Sequence, residues 1–520
     1  MDSATSPPIW DRVGTSRHRN PLVAPIEADV VVVGAGVTGL TAALKLAREG
    51  RRVVVLERHG VGEGATGMSS AHVTALLDRP YVDLLHEHGE EVTGRVLRAA
   101  TEAVAIVEAH AREMPDGADF ARVPGYLWAE DETQRQRLRD EFEVLTQLGV
   151  AASLRESAPL PFPAMAALGV EGQARVHPRR YIAGLAAQCV AAGVEIHEDT
   201  AVVSFDEGDT CLLRTDEDVE VHAGRVIFAA HAPLTRVALQ TRCIPYTTYV
   251  AAFRAEDVTD LLATDLGDPY HYVRALREGA TTWWVVGGCD HRTGQERHTE
   301  TRFDALDAWC RERFGVRPED ISYRWTSQVH VTPDGLPFVG KVPGNDRLYL
   351  ATGFGGTGLT WGSLAGEILA AECLDLAHPH AELFAPSRLD VLGEAARVVR
   401  EAATTSACYI SDHLQPGEAA SLDEVPRGTG CVVRRGLKLY AAYRDDRGRL
   451  TVLDAICTHL GSVVRFNPAA KTWDCPCHGS RYDTRGDVLE GPALTGLAHV
   501  APEELDEEPV SDGLDLAIHG

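Results

Sequence analysis

Cys457, His459, Cys475 and His478 stand in two short constellations fifteen residues apart, Cys457-Thr-His459 and Cys475-Pro-Cys477-His478. Each supplies one thiolate and one imidazole. Two cysteines can hold one iron and two histidines a second, the ligand division of a two-iron, two-sulfide centre that passes electrons singly at a higher potential than all-cysteine centres. Gly461 and Gly479 would free the backbone to wrap such a cluster. A structural zinc ion takes the same residue types and stands as the alternative. Zinc fingers, however, group cysteine with cysteine and histidine with histidine, whereas each segment here mixes them.

A second chemistry is written near the other end. The apolar run Ala28-Asp-Val-Val-Val-Val33 reads as a buried parallel strand and leads into Gly34-Ala-Gly36-Val-Thr-Gly39. A helical stretch follows and ends at Gly50, and a second strand, Arg52 to Leu56, closes on Glu57. The glycines let the backbone approach a pyrophosphate, the helix N-terminus supplies positive potential, and the carboxylate accepts from a ribose hydroxyl. An acid at the strand end disfavours a 2′-phosphate, so FAD or NAD is expected rather than NADP.

The elements that must position these groups need more than one core. At 520 residues and 56.2 kDa the chain fits two to four domains. A net charge of −26 excludes nucleic acid or an anionic membrane surface as a natural partner. Eight of the eleven cysteines (Cys189, Cys211, Cys243, Cys289, Cys310, Cys373, Cys408 and Cys431) are scattered without ligand or framework spacing, as reduced thiols are. The N-terminus has no basic or apolar leader, and no run approaches the ~18 apolar residues of a membrane span. The expected location is the cytoplasm. From about Leu422 onward, short β-rich runs at 430–433, 438–443 and 450–453 between Gly and Asp turns predict a small all-β module.

Four further segments separate FAD from NAD. They are Gly64-Ala-Thr66-Gly67-Met-Ser69-Ser-Ala-His72, Arg225 to Pro233, Thr332-Pro-Asp-Gly335-Leu-Pro337-Phe-Val-Gly340, and the strand Arg347 to Phe354 followed by Gly355-Gly356-Thr357-Gly358. Over roughly residues 28 to 385 the chain resembles the FAD-dependent D-amino-acid oxidase, glycine oxidase and sarcosine oxidase superfamily. That resemblance implies an α/β, Rossmann-like, glycine-oxidase-type FAD domain with an inserted α+β substrate domain, drawn from about 80–174 and 240–325. It implies cofactor contacts at Gly34, Gly36, Gly39, Glu57, Arg58, Thr66, Ser69 and Val202, and at Gly353, Gly356, Thr357, Gly358, Leu359 and Thr360. The helix opening at Gly358 would aim its N-terminus at the flavin pyrimidine edge, where a helix dipole favours the reduced form.

The C-terminal part resembles a Rieske [2Fe–2S] domain, and the whole resembles bacterial flavin–Rieske fusion oxidoreductases. The implied layout is an arm at 1–27, the oxidoreductase domain at 28–385, a linker at 386–421 with an Ala-rich helix over 389–403, and the Rieske domain at 422–520. A docked Rieske module is expected. In high-potential Rieske proteins, Ser480 and Tyr482 would donate to cluster sulfide and ligand sulfur, and a disulfide joins the two loops. Ser462 stands where its first cysteine would be, which leaves Cys477 an unpaired thiol.

Family members move hydride from the carbon beside an amine to the flavin, a step that needs a positioned C–H more than a protein base. The expected pocket residues are Gln328, His330 and His72, with a choice among Tyr246, Tyr249, Tyr270, His271, Tyr272 and Trp284, of which strand alternation sends only half toward the cofactor. The arginine that clamps a substrate carboxylate in the amino-acid oxidases is replaced by Val329. A small amine is therefore favoured over an amino acid unless Arg254 or Arg274 supplies the clamp. The expected activity is a dehydrogenase that passes electrons singly to the cluster and an external acceptor; the alternative is a reductase or sensor in which electrons enter at the cluster.

Overall fold

The computed structural model describes residues 5–12, 18–234, 238–256, 258–388, 417–419 and 421–500. The helix expected over 389–403 lies outside these residues. Ile26–Val33 sits in an eight-stranded sheet between Glu220–Phe228 and Val53–Leu56, with Leu348–Thr352 and Glu195–His197 beyond them, all parallel. Both faces of these strands are covered, which is why they are apolar without alternation. The helices Val37–Arg48 and Gly358–Cys373 pack together on one face, and the long helix Tyr81–Arg112 lies against the second of them.

The second sheet has nine strands and is mostly antiparallel. Its longest members, Ile321–Val331, Ile244–Ala255 and Thr281–Arg292, lie side by side in that order. This sheet carries the residues expected over the flavin. The C-terminal module adds a three-stranded sheet, Thr429–Arg435, Lys438–Arg444 and Leu450–Asp454, and a four-stranded one from Arg465–Asn467 to Val488–Glu490. No helix among the described residues is long and apolar enough to cross a membrane.

Two buried imidazoles tie the helical layer down. His110 Nδ1 meets the Tyr181 hydroxyl at 3.2 Å, and His177 caps the helix Pro178–Ala191 by accepting from the Arg180 N–H at 3.4 Å. Burial pushes both to about 4, and a protonated His177 could no longer accept. Because the unfolded chain takes up these protons first, near pH 6.5, stability falls as pH drops from 6.5 toward 4 and levels off below. Each histidine contributes at most about 1.4 kcal/mol per pH unit in that window. Urea denaturation from pH 7 to 5 should show this slope, and His110→Gln should remove one histidine's share of it.

Candidate functional site

A cavity of about 400 Å³ runs from the glycine fingerprint, past the substrate sheet, to Leu489–Ala493 of the C-terminal module. At its first end Gly34 has φ +107°, and a Cβ there would lie 2.6 Å from the Ala229 carbonyl oxygen. Gly36, Thr66, Ser69 and Val202 line the same end. Glu57 accepts from the Ala35 N–H at 2.7 Å and the His59 N–H at 3.0 Å, and burial raises its pKa. Gly356, Thr357, Gly358 and Leu359 line the cavity where the helix Gly358–Cys373 begins.

Three residues expected at the cofactor do other work. A Cβ on Gly39 would fall 2.0 Å from the Gly34 carbonyl oxygen, so Gly39 serves helix-to-strand packing. A Cβ on Gly353 would strike Thr332 at 2.4 Å. The Thr360 hydroxyl accepts from the Thr74 N–H and donates to the Thr74 carbonyl, pinning this helix to the segment below it. Arg58 does line the cavity, but its guanidinium donates to the Leu494 carbonyl at 3.1 Å.

Of the expected pocket residues, His72 lines the cavity with Nδ1 2.9 Å from the Ser70 hydroxyl and its ring edge-on to Tyr272. Burial, then the charge of Arg274, lowers its pKa to about 3, so the imidazole is neutral. Gln328 also lines the cavity, and its amide N–H donates to the Gly479 carbonyl at 2.8 Å and the Thr293 hydroxyl at 3.2 Å. His330, two residues further along the strand, has passed the cavity's edge; it packs on His231 with ring centroids 4.6 Å apart. Tyr270 and Tyr272 face the cavity, whereas Tyr246, Tyr249, His271 and Trp284 do not.

Neither arginine is a carboxylate clamp. Arg274 is fully buried and donates to the carbonyls of Ser70, Ala71 and Val176 at 2.8–2.9 Å. Arg254 lies over the Trp283 ring, 5.3 Å from its centroid, and is absent from the cavity wall. The sequence reading missed Asp78, His231 and Glu490 in the wall, and Asp290 behind it, whose carboxylate accepts from the Tyr270 hydroxyl at 2.9 Å. Asp290 had one signal: an acid closing the otherwise apolar stretch Trp283 to Cys289.

The two ligand loops of the C-terminal module are built alike. In the first, the Cys457 N–H donates to Ser462 O and the Gly461 N–H to Cys457 O; in the second, the Cys475 N–H donates to Ser480 O and the Gly479 N–H to Cys475 O. Gly461 and Gly479 both take left-handed φ, +79° and +77°. His459 Nε2 donates to Gln240 Oε1 at 2.9 Å, and the amide is oriented by its own N–H to the Pro233 carbonyl. An amide oxygen can only accept, so Nδ1 of His459 is the bare nitrogen, and it is buried without a partner, as is Nδ1 of His478. Hydrogen bonds from Cys475, then Tyr482, bring the Cys457 thiol down to about 6.

These donors suit a two-iron cluster. The His459 and His478 rings stand edge to face with centroids 5.1 Å apart. The Tyr482 hydroxyl lies 3.2 Å from Cys457 Sγ, and the Ser462 hydroxyl donates to Cys477 Sγ at 2.7 Å, in the place a disulfide would take. The module is docked: besides Arg58 and Gln328, His59 Nε2 meets the Val488 carbonyl at 3.1 Å and Arg465 donates to the Gly294 carbonyl at 3.1 Å.

Fold and site together define a flavin oxidoreductase joined to a two-iron electron-transfer domain. The chain belongs to the FAD dependent oxidoreductase family, whose model matches residues 29–372, and a Rieske [2Fe-2S] domain model matches residues 415–501. Its cofactors are FAD and a [2Fe–2S] cluster. It is 28% identical over 478 residues to the Rieske 2Fe-2S iron-sulfur protein YhfW of Bacillus subtilis (strain 168), covering 91% of this chain and 93% of that one. The cytochrome b6-f complex iron-sulfur subunit of Prochlorococcus marinus (strain MIT 9211) is 34% identical over 184 residues, 34% of this chain and 87% of the subunit. The glycine oxidase of Geobacillus kaustophilus superposes with a TM-score of 0.59 at 19% identity, over 70% of this chain and 99% of that one.

Two measurements follow from the loops. A redox titration should place the cluster in the middle or upper part of the roughly −150 to +300 mV Rieske range; a value well below zero would contradict the role given to Tyr482. Loss of one hydrogen bond worth ~1 kcal/mol to the reduced state makes Tyr482→Phe about 40 mV lower on a one-electron couple. Ser462→Cys should oxidise to a bridge with Cys477, read as one titratable thiol fewer than in the parent protein and two fewer than in the reduced variant. Closing a ~15-residue loop is worth roughly 3 kcal/mol, which should appear as a higher unfolding midpoint.

Proposed function

We propose that the protein is a dehydrogenase that oxidises a carbon–nitrogen bond of a small amine or amino acid by hydride transfer to FAD and releases the electrons singly through the cluster to an external acceptor. One observation carries the reading: the Gln328 amide stands in the cavity wall and donates to the carbonyl of Gly479, the residue after the proposed ligand His478. A two-electron site and a one-electron site thus share a wall. When bound, FAD supplies the hydride acceptor and the cluster the one-electron carrier.

The chain's own residues do the rest. Neutral His72 and the Tyr270–Tyr272 wall shape the space in which a substrate C–H is aimed. The helix beginning at Gly358 directs its positive end at that space. Glu490, from the C-terminal module, helps close the far side against water. A cytoplasmic setting accords with the absence of any disulfide among the described residues.

Anaerobic rapid mixing of the holoprotein with a panel of amines and amino acids tests this. The flavin should bleach first and the cluster's visible band should change afterward, at a rate that Gln328→Leu slows by about tenfold or more if the contact sets the distance. A flavin that stays oxidised with every compound, yet is reduced when electrons are delivered to the cluster, would establish the opposite direction of flow.

A further inference from the structure

One short stretch of the C-terminal module touches both cofactor sites. Leu489, Glu490, Gly491 and Ala493 line the same cavity as Glu57 and Leu234. The two residues that follow Glu57 hold the ends of the stretch: His59 Nε2 meets the Val488 carbonyl, and the Arg58 guanidinium donates to the Leu494 carbonyl, both at 3.1 Å. Glu57 in turn accepts from the His59 N–H at 3.0 Å. Gly491 is packed so closely that a Cβ on it would lie 2.9 Å from Leu234. The stretch therefore lies over the end of the cavity where the strand-end acid receives a ribose.

Both cluster loops grip the same stretch from the other side. The Ala493 N–H donates to the Ser480 hydroxyl at 3.0 Å, and the Ser480 carbonyl accepts from the Cys475 N–H within the second loop. From the first loop Thr458, which stands between Cys457 and His459, donates its hydroxyl to the Thr495 carbonyl at 2.7 Å. The buried guanidinium of Arg481 adds a third tie, to the Glu490 carboxylate at 3.4 Å. Thr458, Ser480 and Arg481 themselves do not line the cavity. Anything they do to a nucleotide passes through residues 488–495.

We infer that residues 488–494 cap the FAD site at its ribose end, and that this cap couples FAD binding to the presence of the cluster. Ligation of iron fixes loops that are otherwise held by hydrogen bonds alone. Fixed loops hold the cap in place before FAD arrives, so less order has to be bought from the binding energy. The effect is reciprocal: FAD seated beneath the cap favours the loop arrangement that retains the cluster. The coupling is the same whichever way electrons flow and whatever the substrate.

FAD affinity of the full-length protein, read from the fluorescence of released flavin, tests this. Removing iron with a chelator under anaerobic, reducing conditions should weaken FAD binding about tenfold or more, ~1.4 kcal/mol. Reloading with iron and sulfide should restore it, and a chelator should extract iron faster from protein stripped of FAD. With the cluster spectrum intact, Thr458→Val and Ser480→Ala should each weaken FAD binding by up to about fivefold, the factor that one hydrogen bond of ~1 kcal/mol allows. Gly491→Val, which lifts the cap from Leu234, should weaken it as well. FAD affinity that is equal with and without the cluster, or unchanged in all three variants, overturns the inference. Should iron removal unfold the chain, seen as lost circular dichroism, the three cluster-loaded variants decide alone.

Discussion

The contact on which the rest depends is the one between the second cluster loop and the substrate sheet. Gly479 sits so close to that sheet that a Cβ would lie 2.4 Å from Pro245 and 2.8 Å from the Gln328 amide nitrogen. Only a residue without a side chain, in a left-handed turn, lets the loop press its carbonyl onto Gln328. Moved back by the width of one side chain, the C-terminal module would lose that hydrogen bond. Arg465 reaching Gly294 and His59 reaching Val488 hold the same seat from either side.

Buried polar atoms without partners are rare in well-packed proteins, and here many gather along one path. Asp290 Oδ1, His72 Nε2 and Gln328 Oε1 lie about the cavity; His231 Nε2, Glu490 Oε2 and both nitrogens of His330 follow; the Nδ1 atoms of His459 and His478 end the series. Each is costly unless something else meets it. These atoms come from the nucleotide-binding part, the substrate sheet and the C-terminal module.

What the sequence made legible was local. Strand, glycine turn, helix and acid follow one another within thirty residues, so Glu57 could be placed from spacing, and the paired loops set out their Cys and His residues in plain order. Residues whose role depends on a distant partner were not legible. Arg274 reads as a free cation until three carbonyls surround it. Gln240 has no motif, yet its amide fixes which nitrogen of His459 is bare. His330 shares a strand with Gln328, and only the cavity's extent separates them. Gly39 and Thr360 occupy motif positions but are spent on packing, because a fingerprint must hold its own helix before it can hold a nucleotide.

Ser462 facing Cys477 has a consequence for how this protein is made. Loops joined by a disulfide need an oxidant to finish them and a compartment that preserves the bond. A hydroxyl-to-thiol hydrogen bond needs neither. The Ser462–Cys477 contact between the two loops therefore forms on folding, with no oxidation step of its own.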